Sequence, residues 1–249
     1  MKLRWRRLLT ILLVASSIGC TATRGWLVPG GTALVDFFPL HDGTLWVYKV
    51  EDPSGEVSLQ RVLVRGPRFL DEPNVIGVLV EESGGLGGTF ALDPSWHPIA
   101  YYRRGDFVYK HYGVVFANGD LRDADLDRDD EKLLPTDPGK TVEWESEVGL
   151  FDVPDGSGYA LHLVGRAAST DASVTVPAGT FDGCLLVDTT ILPRTGRPGS
   201  DEGSPDFFRY LDWYAPGVGL VKSIATSGSA SDPVSTIELI SFRDGRSSR

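Results

Sequence analysis

The sequence lacks the short motifs that mark common catalytic and cofactor sites. It contains no G-x-S-x-G elbow, no H-E-x-x-H pair, no P-loop and no dinucleotide-binding glycine motif that opens a helix. The glycine-rich stretch Gly84–Gly88 lies between predicted strands and is interpreted as a hairpin tip. We therefore predict no catalytic residue, no cofactor and no metal site, and we predict that the chain is not an enzyme.

Histidine is scarce as well. Each of the four histidines stands apart from acidic or cysteine residues at metal-ligand spacing, which favours structural or surface roles over metal binding or acid–base work. They are His41, His97, His111 and His162.

Long apolar runs are absent after the first twenty residues, so no later segment is predicted to cross a membrane. Met1–Arg7 carries four positive charges and no acid, and Leu8–Val14 is almost wholly apolar. An apolar segment of about twelve residues reaches roughly 18 Å, well short of the roughly 30 Å hydrocarbon core. Residues 1–19 are thus predicted to be a cleavable signal peptide.

The end of this leader, Ser17-Ile18-Gly19-Cys20, resembles the lipobox of bacterial lipoproteins. The resemblance implies cleavage before Cys20 and lipid attachment to its thiol, although Ser17 replaces the usual Leu, Val or Ile. Thr21 rather than Asp follows, which by resemblance to enterobacterial sorting favours the outer membrane. The alternative is an ordinary signal peptide cut near Gly19 or Ala22. Residues 20–35, rich in Thr, Ala, Gly and Pro, are predicted to be a flexible tether.

Only two cysteines occur, Cys20 and Cys184. If Cys20 carries lipid, no disulfide can form within the chain. Cys184 lies in the apolar run Phe181–Val187, which favours a buried core thiol over a nucleophile.

Acidic residues outnumber basic ones. The net charge is −10, and loss of the four positive charges of the leader lowers it to −14. Such a charge argues against nucleic acid or an anionic lipid surface as a partner of the mature protein.

Period-two alternation of apolar residues dominates the remaining chain, and turn sequences separate the runs. We predict one all-β domain over residues 36–243, with a mostly antiparallel, strongly curved sheet, half-barrel or barrel. Two sheet halves are expected, joined by an acidic linker near residues 119–137, within which a minor helix is possible. Residues 244–249 are predicted to be a disordered tail. The predicted strands are 46–50, 57–63, 75–80, 99–102, 107–116, 142–147, 159–168, 173–176, 181–191, 207–214, 220–226 and 234–242.

The acidic segment between Asp120 and Glu131 could in principle bind calcium. Asp123, Asp125 and Asp127 alternate as calcium-loop ligands do, but an EF-hand would need Gly at 128 and Glu at 134, where the chain has Arg128 and Leu134. A solvated acidic loop is favoured over an irregular calcium site. The full run of acidic residues is Asp120, Asp123, Asp125, Asp127, Asp129, Asp130 and Glu131.

Aromatic and basic residues cluster at Tyr101–Arg104 and Tyr109–Tyr112, around a Gly105-Asp106 turn. Cross-strand aromatic pairing is the favoured interpretation, and a platform that binds sugar or peptidoglycan is the alternative.

Four separate blocks resemble a family of uncharacterised bacterial envelope lipoproteins. The blocks are Asp36–Leu40 with Gly43 and Trp46; Leu133–Pro135 with Gly139 and Trp144; Val174–Phe181 (VTVPAGTF); and Trp213–Lys222 (WYAPGVGLVK). The resemblance spans about Asp36 to Phe242 and implies an exported β-rich domain similar to the half-barrel of periplasmic lipoprotein carriers. The family has no established catalytic residues, so none is carried over.

Two functions of different class follow. The first is a membrane-anchored envelope lipoprotein that binds an apolar or lipid-like ligand in its curved sheet, lined by residues such as Trp46, Tyr48, Leu161 and Leu163. The second is a structural or assembly module that binds another envelope protein. The first predicts an apolar concavity, whereas the second predicts an exposed apolar patch or an open sheet edge.

Overall fold

A computed structural model describes ten stretches of the chain. They are residues 37–65, 75–84, 90–91, 99–111, 114–117, 120–123, 130–150, 159–195, 207–228 and 232–248. The predicted signal peptide, Cys20 and the predicted tether lie outside the described residues, as do His97, Tyr112 and the aspartates at 125, 127 and 129. All described residues belong to one compact unit, Leu34–Arg249.

Most of the described residues are in strands, as the period-two pattern predicts. Their bounds are β1 Leu45–Glu51, β2 Val57–Arg65, β3 Val75–Gly84, β4 Phe90–Ala91, β5 Ile99–Arg104, β6 Phe107–His111, β7 Val114–Ala117, β8 Asp120–Asp123, β9 Glu131–Pro135, β10 Glu143–Leu150, β11 Tyr159–Val176, β12 Gly179–Thr195, β13 Phe208–Ala215, β14 Gly219–Ser227 and β15 Pro233–Arg243. One short 3-10 helix, η1, covers Gly245–Ser248.

The strands form one antiparallel sheet in the order β10-β11-β12-β13-β14-β15-β1-β2-β3-β5-β6-β9, with β4 paired to β3. Strands β7 and β8 form a separate pair. The two halves of the chain meet in the sheet where β1 pairs with β15, from Leu45 opposite Arg243 to Glu51 opposite Thr236. The predicted all-β, mostly antiparallel fold is therefore confirmed.

The sheet curls until its first and last strands approach each other, but it is not closed into a barrel. Strands β9 and β10 occupy the two ends of the path, and the described residues form no ladder between them. We call the gap between β9 and β10 the seam. Of the predicted alternatives, the open curved sheet is the one observed.

The structure corrects two expectations about local structure. No helix occurs among the described residues of the segment 119–134, where β8 and β9 are found instead. Backbone pairing with β6 stabilises β9 as a strand, with Phe107 opposite Pro135. The predicted disordered tail is also wrong, since Gly245 is buried and its N–H donates to the Thr44 hydroxyl at 3.1 Å. That bond fixes η1 against the turn before β1.

The indole ring of Trp46 packs against the turn of the WYAPGVGLVK block. The turn from Ala215 to Gly219 is closed by the Val218 N–H, which donates to the Ala215 carbonyl at 3.1 Å. Trp46 is 1% exposed, and its Nε1 donates to the Val218 carbonyl at 2.6 Å. Gly219 has a φ of +99°, and a Cβ there would lie 3.2 Å from Trp46 Nε1. Glycine is thus required both by the backbone angle and by the ring.

Cys184 is fully buried in β12, which confirms its prediction as a core thiol. Burial, assisted by the charge of Asp182, raises the thiol pKa to about 11. The thiol therefore stays protonated at neutral pH and is a poor nucleophile.

Candidate functional site

The seam is held at one point by Trp144 of β10. Its Nε1 donates to the backbone carbonyl of Lys132 in β9 at 3.1 Å. The segment 136–142 connects these two strands, and the Lys140 N–H and Thr141 N–H both donate to the Asp137 carbonyl within it. A side-chain hydrogen bond thus joins the two end strands of the sheet. Closing the sheet into a barrel would instead need a backbone ladder between them.

Gly165 provides the space for the Trp144 ring. The two residues are directly opposite in the β10–β11 ladder, and a Cβ on Gly165 would lie only 2.5 Å from Trp144 Nε1. On its other side the indole packs against Phe107, with ring centroids 5.9 Å apart. Trp144 is 7% exposed, so the ring acts as a plug at the base of the seam.

The hydrogen-bond pattern of β10 shows which of its backbone groups face the seam. The Ala167 N–H donates to the Val142 carbonyl at 2.8 Å, which makes these two residues a hydrogen-bonded pair. Such pairs alternate along an antiparallel ladder, so Trp144 and Ser146 bond to β11, while the N–H and C=O of Glu145 point away from β11. The backbone of Glu145 therefore faces the seam.

Above the Trp144 plug the seam widens into an open cleft of about 480 Å³, which we call the seam cleft. Its two walls come from opposite ends of the sheet. The lining residues are Arg104, Tyr109, Asp130, Lys132, Glu145, Ser146, Glu147 and His162.

Three carboxylates, a histidine and the cationic side chains of Arg104 and Lys132 line the cleft. His162, opposite Glu147 in the ladder, has Nδ1 3.8 Å from Glu147 Oε1 and Nε2 3.9 Å from Glu145 Oε2. These distances exceed a hydrogen bond and describe charge proximity. Across the cleft, burial raises the pKa of Asp130 to about 6. The Arg104 guanidinium lies over the Tyr109 ring, 4.5 Å from its centroid.

Ser146 presents an unsatisfied group to the cleft. The residue is 9% exposed, and its Oγ is buried without a hydrogen-bond partner among the described residues. Nδ1 of His162 is in the same condition. A buried hydroxyl without a hydrogen-bond partner is energetically unfavourable. A ligand that supplied this partner would therefore bind more tightly.

A second polar cluster lies on the interior face of the sheet. Lys110 Nζ is 3.3 Å from Glu131 Oε1, and Glu131 is 6% exposed. Burial raises the pKa of Asp212 on β13 to about 6, against the opposing effects of the Ser223 hydrogen bond and the Lys110 charge. This cluster was not predicted from the sequence.

The apolar concavity expected around Trp46, Tyr48, Leu161 and Leu163 is largely packed. Trp46, Tyr48 and Leu163 are 1%, 5% and 4% exposed, and only Leu161 keeps intermediate exposure. Phe38 stacks on Trp46 with centroids 6.2 Å apart, and the Tyr48 hydroxyl donates to the Leu220 carbonyl at 3.0 Å. Side chains of the protein itself occupy the space around these residues.

The predicted polar sites are dispersed by the fold. Among the described residues, no three His, Cys, Asp or Glu side chains are arranged to hold a metal ion. Asp120 and Asp123 lie on β8, whereas Asp130 lines the seam cleft. Within the described part of the chain, no helix is long and apolar enough to span a bilayer.

The aromatic and basic cluster lies on the β5–β6 hairpin, where Tyr102 is opposite Tyr109. Tyr101 is buried and packs on Phe38, with ring centroids 5.0 Å apart. Arg104 and Tyr109 of this hairpin also line the seam cleft.

The seam cleft and the position of His162 within it were not predicted from the sequence. The available signal was the alternation of Glu143, Glu145 and Glu147 along one face of a predicted strand, with a histidine on the strand that follows. Only the ladder register places His162 between the two latter glutamates.

Two solved structures have a similar fold. One is a protein of Parabacteroides distasonis provisionally named a lipoprotein; it is 19% identical, with a TM-score of 0.51 over 83% of this chain and 98% of that chain. The other is a protein of Bacteroides fragilis provisionally named an exported protein with a YmcC-like fold; it is 13% identical, with a TM-score of 0.48 over 83% and 98%. The likeness to the first supports the fold alone. No protein-family model matches the chain, and no curated protein matches it in sequence.

Proposed function

We propose that this chain is an exported envelope lipoprotein, anchored through lipid on Cys20, whose β-sheet unit docks another envelope protein at the seam cleft. Three observations support the envelope location. Ser17–Cys20 is similar to a lipobox, the WYAPGVGLVK block resembles a block of envelope lipoproteins, and the Parabacteroides distasonis protein of similar fold is provisionally named a lipoprotein. The outer membrane is the proposed site of anchoring, since Thr21 rather than Asp follows Cys20. The protein then faces the periplasm or the cell surface.

The observation that carries the docking role is the second edge of β10, with which no described strand pairs. The sheet path ends there, and the Glu145 backbone points into a cleft whose walls are polar. Exposed strand edges offer donors and acceptors that readily pair with another chain. An edge that the fold leaves open beside a cleft is therefore suited to a protein partner.

The packing of Trp46, Tyr48 and Leu163 favours docking over the transport of an apolar ligand. A carrier of lipid needs an apolar space, whereas these side chains fill the space around them. A third role, catalysis, has little support in the seam cleft, because His162 makes no hydrogen bond to Glu145 or Glu147 that could orient it as a base.

Crosslinking in the cells that make the protein tests this function. A photoreactive phenylalanine analogue placed at Glu147 in the cleft is expected to form a reproducible adduct with one envelope protein, which mass spectrometry identifies. The matched control places the same group at Ile240, an exposed position on β15 that is 36% accessible. Equal adduct patterns from the two positions, or no adduct from position 147, would count against docking at the seam.

A further inference from the structure

We infer that the seam cleft binds an extended strand of its partner that carries basic side chains at alternate positions. This inference rests on the docking role proposed above and specifies the chemistry of the occupant. Three observations lead to it: the direction of the β10 backbone groups, the charge of the β10 rim and the unsatisfied hydroxyl of Ser146.

The backbone provides the first observation. The described residues of β10 pair only with β11, and the Glu145 N–H and C=O face the other way. β9 is the last strand at the opposite end of the path, and it directs the Lys132 carbonyl towards the seam, as the bond to Trp144 shows. A strand placed in the cleft would therefore meet the backbone donor and acceptor of Glu145 on the β10 side, as in recognition by strand addition.

Trp144 sets where such a strand can begin. Its indole occupies the seam at the level of Lys132, so an added strand can pair with β10 only from Glu145 onwards. The occupant is therefore a short extended segment that enters from the wide end of the cleft.

Charge indicates what side chains the occupant carries. Glu145 and Glu147 are exposed and lie two residues apart, hence on one face of β10. Residues opposite them on an added strand would share that face, and opposite charges at such positions stabilise the pairing. The favoured occupant thus has Lys or Arg at positions i and i+2.

The buried hydroxyl of Ser146 is the third observation, and it points to a ligand independently of the charge. It faces the opposite side of β10 from Glu145, is nine-tenths buried, and its Oγ has no partner among the described residues. A Thr or Ser on the other face of the added strand could donate to this oxygen or accept from it. An alternation of basic and hydroxyl residues would satisfy both faces.

Binding of a defined peptide tests the inference on the full chain carrying Cys20→Ser, which cannot be acylated at that position. The probe is an acetylated hexapeptide of alternating Lys and Thr, and the controls are a Glu/Thr hexapeptide and the Lys/Thr peptide with alternate backbone amides N-methylated. The Lys/Thr peptide is expected to bind and to slow hydrogen exchange of the Glu145 amide. Glu145→Gln should weaken it by about three- to tenfold, while Glu143→Gln, on the same face but outside the cleft, should change affinity by less than about twofold.

Several outcomes would overturn the inference. They are equal binding of the Glu/Thr peptide, undiminished binding of the N-methylated peptide, equal effects of Glu145→Gln and Glu143→Gln, or no binding at millimolar concentration. If position 147 still crosslinks to a protein in cells, the docking role stands and only strand addition fails. If the peptide binds but position 147 gives no adduct, the cleft accepts strands but the proposed function fails.

Discussion

Gly165→Ala is expected to destabilise the protein by about 2–4 kcal/mol, since a new methyl group would be forced into the ring of Trp144. A Cβ at this position would lie 2.5 Å from Nε1 and 2.6 Å from Cζ2 of the indole, and both atoms belong to a buried, rigid ring. To relieve the overlap the ring must move, which breaks the 3.1 Å bond to the Lys132 carbonyl and opens the base of the seam. Urea unfolding followed by circular dichroism measures the change.

Gly139→Ala provides the matched control. A Cβ at Gly139 would come only within 3.4 Å of the Asp137 carboxylate oxygen on an exposed turn, so the change in free energy of unfolding should stay within about 0.5 kcal/mol. In a Trp144→Leu background the penalty of Gly165→Ala should shrink, because the overlapping ring is gone. Equal penalties in the two backgrounds would mean that the ring is not the cause.

Cys20→Ser is expected to move the protein from the membrane to the soluble fraction and to abolish labelling with radioactive fatty acid. Each buried CH₂ of an acyl chain contributes about 0.8 kcal/mol, so two or three chains anchor a protein stably and their loss releases it. Fractionation with fatty-acid labelling reports both effects.

Cys184→Ser is the matched control for that experiment. The Cys184 thiol is buried in β12 and stays protonated, so its replacement should leave the fatty-acid label unchanged. A Cys20→Ser protein that still takes up fatty acid and stays with the membrane would show that the anchor lies elsewhere.

The features of the fold that could be predicted follow mostly from local patterns in the sequence. The strands β1, β2 and β14 follow the alternation of apolar residues closely, because one face of each lies against the core. The turn at Ala215–Gly219 falls between the predicted strands 207–214 and 220–226, and it contains Pro216, Gly217 and Gly219, whose backbone preferences suit a reversal. The burial of Cys184 followed from its apolar neighbours in the same way.

Features that depend on distant pairing could not be predicted. β9 carries little apolar alternation and exists as a strand because β6 pairs with it. The tail folds because Thr44, 201 residues earlier in the chain, accepts from Gly245. The seam cleft arises where the two ends of a long sheet meet, and no local sequence pattern reports that meeting. Trp144 and Gly165 become a pair only through the ladder register.

Hydrogen exchange along β10 is the most direct test of the central claim that the sheet stays open at the seam. Alternation is expected: the amides of Trp144 and Ser146, bonded to β11, should exchange slowly, while the Glu145 amide should exchange about tenfold faster or more. The measurement uses two-dimensional NMR of the Cys20→Ser chain without any added peptide. A Glu145 amide as strongly protected as those of Trp144 and Ser146 would contradict the account, because β10 would then have a backbone partner on its second edge.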